Sequence, residues 1–127
     1  MLAGMTLSLY QIAVDAHDLA GLARFWAQVL DWRIVHQDPD EVIIAPSPEA
    51  LPGIVFLPVP EEKAGKNRLH LDLTPGEGEW DAEVERLLAL GARRADVGQR
   101  EDVPWIVLAD PEGNEFCVLA HKKTLLD

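Results

Sequence analysis

The sequence predicts an α+β domain built from two βαβββ modules. Three observations carry that reading. Segments with strand and helix patterning follow one another as β-α-β-β-β, pause at a charged stretch, and repeat the same order. The halves align at a nearly constant offset: Leu30-Asp31-Trp32-Arg33 lies 60 residues before Leu90-Gly91-Ala92-Arg93, and Gly53, Phe56 and Leu57 lie 60 before Gly113, Phe116 and Cys117. Each half has only one amphipathic helix, so each sheet can cover one face with it and leaves the other as a wall. Two such walls side by side would enclose a cleft. Module one is expected at about 7–59, a linker at about 60–67, and module two at about 68–121.

The elements follow in order. "LSLYQIAV" (7–14) reads as a strand, with Ile12 and Val14 on one face and Gln11 and Ala13 on the other. Asp18 is an N-cap, and Leu19, Leu22, Ala23, Trp26, Val29 and Leu30 recur at helical spacing after it. "WRIVHQ" and "EVIIAP" form a strand pair across the turn signal "DPD", and "GIVFLPV" is a further strand. "PEEKAGKN" is charged and aperiodic, hence the linker. "RLHLDL" opens the second module: Leu69, Leu71 and Leu73 face the helix, and Arg68, His70 and Asp72 face away. A helix over about 79–90 presents Trp80, Val84, Leu87 and Leu88, and Gly91 suits its left-handed end. "ARRADV", "PWIVLAD" and "EFCVLA" complete the set, with "DPEGN" as the turn before the last strand.

Composition excludes several classes. The chain has 127 residues, 48% of them hydrophobic, which suits one domain with a real core. Its net charge of −11 repels nucleic-acid phosphates and anionic lipid, so neither nucleic acid nor membrane is expected as a partner. The single cysteine, Cys117, rules out an internal disulfide. The start lacks a basic segment and a long apolar run, so the expected location is cytoplasmic. No Gly-rich phosphate loop, G-x-S-x-G or C-x-x-C is present. His17, His36 and His121 show no metal-ligand spacing and read as surface residues.

"KNRLHLDL" and "WIVLADPEGNEFCVL", set within the paired-module order, resemble the glyoxalase-like branch of the vicinal oxygen chelate superfamily. That superfamily includes glyoxalase I, extradiol dioxygenases, fosfomycin-resistance enzymes and bleomycin-resistance proteins. The resemblance implies a small-molecule ligand held in the cleft and a homodimer. It also implies four metal-ligand positions, on the first and last strands of each module. They fall on Gln11, Leu57, His70 and Cys117, where His or Gln, Glu, His and Glu are usual. Leucine has no donor atom, and cysteine offers sulfur where a hard oxygen is expected. No cofactor is therefore expected; any divalent ion would be held by His70 with Gln11 and Cys117. Lactoylglutathione lyase activity is not expected, because both carboxylates are missing.

The residues then divide by role. His70 and Asp72 share a strand face and read either as a metal-free proton-transfer couple, for an isomerase or lyase step, or as a hydrogen-bonded pair that pins two strands. Gln11, Leu57, Arg68, Trp105 and Cys117 are the candidate ligand contacts: an amide with free donors and acceptors, an apolar wall, a rim cation, a ring that can stack and a small thiol. The alternative function is sequestration of a cationic drug, as in bleomycin-resistance proteins. Against it, Glu61, Glu62, Glu77, Glu79, Asp81, Glu83 and Glu85 lie on helix and loop segments.

Overall fold

The computed structural model describes residues 6–76, 80–95, 105–120 and 125. The chain divides into two compact units, Met1–Glu62 and Lys63–Asp127. The first runs β1 (Gln11–Ala16), α1 (Leu19–Leu30), β2 (Arg33–Asp38), β3 (Glu41–Ala45) and β4 (Gly53–Pro58). The second runs β5 (Leu71–Leu73), α2 (Trp80–Leu90), β6 (Arg93–Arg94), β7 (Trp105–Ala109) and β8 (Glu115–Leu119). The sheets have matching orders, β1-β4-β3-β2 and β5-β8-β7-β6, with a parallel pair at one edge and antiparallel pairs elsewhere.

The duplication extends to the helix ends. Asp18 caps α1, its Oδ1 accepting from the Gly21 N–H at 3.2 Å. At the other end Asp31 takes a left-handed conformation (φ 54°), and the Trp32 N–H reaches the Ala27 carbonyl at 2.9 Å. In the second unit Gly91 sits at φ 124° and the Ala92 N–H reaches the Leu87 carbonyl at 3.0 Å. The same six-to-one closure thus recurs 60 residues later, with glycine replacing aspartate at the strained position.

Pairing decides which side chains share a face, because residues directly opposite each other in a sheet point the same way. In the first unit Ala16, Val42, Ile44, Ile54 and Phe56 share one face and are all buried under α1, which packs on β2, β3 and β4 through Leu22, Ala23, Phe25, Trp26 and Val29. The opposite face carries Gln11, Asp15, Glu41 and Leu57. In the second unit Leu108, Phe116 and Val118 are buried on one face, and Asp72, Trp105, Val107, Glu115 and Cys117 share the other. Within α2, Val84 and Leu87 are buried. Trp80 is half-buried, its indole N–H without a hydrogen-bond partner among the described residues.

Three boundaries differ from expectation. The first strand starts at Gln11, not residue 7. The Gly53 N–H bonds the Tyr10 carbonyl at 3.0 Å, but Pro52 before it has no N–H, so the neighbouring strand offers no further donor. Leu7 and Leu9 are accordingly exposed. The strand expected from residue 68 starts at Leu71, which leaves Leu69 87% exposed rather than facing a helix. The linker is shorter than expected: residues 63–67 belong to the second unit, for the reason given below. No helix among the described residues is long and apolar enough to cross a membrane.

Candidate functional site

The second sheet's polar face is organised around β5 and β8. Asp72 lies directly opposite Cys117 in the parallel pair, so its carboxylate and the thiol share one face. The Cys117 thiol is pushed above its ordinary value, first by burial, then by the charge and hydrogen bond of Asp72; Lys66 pulls the other way. Cys117 is therefore a protonated donor at neutral pH, not a nucleophile. Trp105 is half-buried on the neighbouring strand, two residues from Val107, the partner of Cys117. It lines the same face.

The segment before β5 brings two more groups. The His70 Nε2 lies 3.0 Å from Lys66 Nζ and 3.0 Å from the Asn67 carbonyl oxygen. One ring nitrogen cannot serve both: toward an ammonium donor it must accept, and toward a carbonyl it must donate. The tautomer selects the partner: with the ring proton on Nδ1 the nitrogen accepts from Lys66, and with it on Nε2 the nitrogen donates to the Asn67 carbonyl. Among the described residues no hydrogen bond joins His70 to Asp72. The expected couple is therefore not formed as a direct pair, because β5 begins one residue too late for both to stand on a strand. Lys66 lies between His70 and Cys117 instead, within 3.0 Å of the His70 ring and close enough to Cys117 to favour its thiolate.

The turn before β8 holds this segment in place. Asp110 is fully buried; its Oδ1 accepts from the Glu112 N–H (2.9 Å) and the Asn114 N–H (3.0 Å), and its Oδ2 from Asn114 Nδ2 (2.8 Å). Asn114 Oδ1 in turn accepts from Asn67 Nδ2 at 3.1 Å. Glu115 accepts from the Asn67 N–H and from Lys63 Nζ, each at 3.3 Å. Burial alone would raise the Glu115 carboxyl, but its own backbone N–H, that of Asn67 and the Lys63 charge outweigh it, so it sits below the usual range. Four side chains thus tie residues 63–67 to the turn. By composition alone this stretch has the character of a linker; the partners that hold it are supplied only by the fold. The Lys66–His70 spacing was the one available cue to Lys66.

The remaining expected residues are more scattered. Arg68 is exposed. Gln11 lies opposite Gly53, whereas Leu57 lies opposite Asp15. Gln11 and Leu57 are thus four residues apart along one sheet, about 13 Å at strand rise. The register also shifts the internal correspondence. Asp15 faces Leu57 as Asp72 faces Cys117, so if Leu57 matches Cys117, the counterpart of His70 is Ala13 rather than Gln11. Gln11 and Leu57 do not converge. Carboxylates beyond the expected Asp72 also reach the polar faces: Asp15 and Glu41 in the first sheet and Glu115 in the second. The helix and loop acids dominate by number, but strand alternation places these four.

Comparison with known proteins agrees with this architecture. Residues 11–119 match the model of the family described as "Glyoxalase-like domain". No curated protein matches the chain. Among solved structures, the fosfomycin resistance protein FosX from Mesorhizobium loti is 23% identical, covers 99% of this chain and 97% of its own, and superposes with a TM-score of 0.64. FosX from Listeria monocytogenes, solved with Mn(II) and 1S,2S-dihydroxypropylphosphonic acid, is 21% identical over 98% and 94%, with a TM-score of 0.67. A glyoxalase-related enzyme from Fulvimarina pelagi is 18% identical over 90% and 88%, also at 0.67. At these identities the likeness is one of fold. With its duplicated βαβββ sheets and a family match spanning both, the chain belongs to the glyoxalase-like domain family of the vicinal oxygen chelate superfamily.

Proposed function

We propose that this protein binds a small organic molecule against the polar face of its second sheet and moves a proton there without a metal ion. The observation that carries the reading is the gathering of Lys66, His70, Asp72 and Cys117 at the start of β5 and the facing turn of β8. A carboxylate, an imidazole, an ammonium and a protonated thiol cover both directions of proton transfer, as isomerase and lyase steps require. On that sheet Trp105 is the apolar contact and Arg68 the outer polar one.

The superfamily's metal does not fit the positions that would hold it. Leu57 has no donor, Gln11 stands about 13 Å along the sheet from it, the Cys117 thiol holds its proton, and the His70 Nε2 faces Lys66. In this reading His70 and Asp72 act on the ligand separately. Asp72, on the sheet, takes the proton; His70 returns one from Nδ1 as its Nε2 takes a proton from the Lys66 ammonium, and exchange with solvent then deprotonates Asp72 and recharges Lys66. Mn(II) accompanies the Listeria FosX structure, and this chain departs from that chemistry. We place the protein in the cytoplasm as a homodimer.

A second reading, sequestration of a cationic compound, is favoured by one observation: Asp15, Glu41, Asp72 and Glu115 all stand on polar sheet faces. One experiment tests both. The native protein is screened by thermal shift against neutral, anionic and cationic small molecules, fosfomycin and bleomycin among them, with and without EDTA. Hits are then repeated with Asp72→Asn and His70→Ala and followed for turnover. Stabilisation that EDTA leaves intact and both substitutions abolish, together with turnover, supports the catalytic reading. Cationic hits without turnover favour sequestration. Hits indifferent to both substitutions refute the site.

A further inference from the structure

We propose a second, separate binding site: a divalent transition-metal site on the β2–β3 hairpin, made by His36, Asp38 and Glu41. One donor atom from each of these residues lies within 4.8 Å of the others. The His36 Nε2 is 2.7 Å from Asp38 Oδ2 and 3.9 Å from Glu41 Oε1. Two ligands held at about 2.1 Å from one ion at tetrahedral or octahedral angles stand roughly 3.0–3.5 Å apart. The observed pair distances bracket that range, and all three side chains are exposed enough to adjust.

The backbone is shaped to bring these donors together. Ile34 lies opposite Ile44, but His36 lies opposite Ile43, so the strand carries one extra residue between them. Without that bulge His36 would pair with Val42 and point to the face buried under α1. With it, His36 and Asp38 turn to the same face as Glu41, which is Asp38's direct partner. Bulges of this kind re-aim side chains at a local cost in pairing. An exposed His–Asp contact repays little of such a cost. The Asp38 carboxylate is also held: its Oδ1 accepts from the Asp40 N–H at 2.7 Å and the Glu41 N–H at 3.0 Å, leaving Oδ2 aimed at His36. Fixing one oxygen by backbone donors orients the other.

The donor set selects the metal class. One imidazole nitrogen and two carboxylate oxygens suit zinc, cobalt or nickel better than calcium, which takes six or more oxygens. Water would fill the remaining positions. Within the first sheet β2 is the far edge from β1, three strand spacings or about 14 Å from the strand of Gln11. It is independent of the proposed function.

Calorimetric titration of the metal-free full chain with Zn(II), and an absorption titration with Co(II), test the proposal. The expected result is one equivalent bound, with affinity falling about tenfold or more in His36→Ala and in Glu41→Gln. Cys117→Ser and His70→Ala should bind as the native chain does, and Co(II) should show no sulfur-to-metal charge-transfer band. Melting temperatures of the metal-free variants confirm that each is folded. No binding, binding unchanged in His36→Ala, or a thiolate band lost with Cys117→Ser would each overturn the proposal, and the last would restore the metal to the superfamily position.

Discussion

Replacing Asp110 with alanine should destabilise the second unit by about 3–4 kcal/mol. The side chain is fully buried and, among the described residues, accepts hydrogen bonds from the backbone N–H groups of Glu112 and Asn114 and from the Asn114 side chain. Each such bond contributes roughly 1 kcal/mol net, and more when the acceptor is a carboxylate. For a chain of 127 residues, an unfolding entropy of about 2.1 cal/mol/K per residue converts 3 kcal/mol into a fall of about 11 °C in Tm. Asp110→Asn should cost about half as much. It keeps Oδ1 for the two backbone donors but sets an amide NH2 against that of Asn114. Asn114 cannot simply flip in response, because its own oxygen holds Asn67. Urea unfolding of both variants measures this, with the slope unchanged and the midpoint shifted. A loss below about 1 kcal/mol for alanine, or equal losses for both, would refute the claim that this turn anchors the segment carrying Lys66 and His70.

Other outcomes follow from the same geometry. Asp72→Asn should quicken the reaction of Cys117 with a disulfide reagent near pH 8 and Lys66→Met should slow it, since the two charges act oppositely on the thiol; rates moving together would contradict the placement. Because the folded protein holds that proton more tightly than the unfolded chain, the thiol's contribution to stability is lost as pH rises above about 8.5, and Cys117→Ser should flatten that decline in urea midpoints. Glu115 runs the other way. Its lowered carboxyl stabilises the fold above about pH 4.3 and ceases to as pH falls below it, so the stability gap between the native chain and Lys63→Met should close on acidification. Gly91→Ala should cost about 1–2 kcal/mol in thermal melts, because φ 124° is strained for any residue with a Cβ.

The sequence by itself determined the class of fold. Period-2 and period-3.6 patterning are local consequences of which residues meet water, and they repeated at an offset of 60 that the Asp31 and Gly91 helix ends now share. It also determined that Asp72 points to the opposite face of its strand from Leu71 and Leu73, since alternation along a strand needs no tertiary knowledge; that Cys117 and Trp105 share its face was decided by pairing. Only the tertiary structure decided where strands begin and what their registers are. Those depend on partners far along the chain: β5 waits until Leu71 can pair with Phe116, which frees His70 to meet Lys66, and Gln11 is set opposite Gly53 rather than near Leu57. The bulge that turns His36 toward Glu41 was equally invisible. A one-residue slip reverses every facing after it, and nothing in "RIVHQD" read alone shows that β3 imposes one.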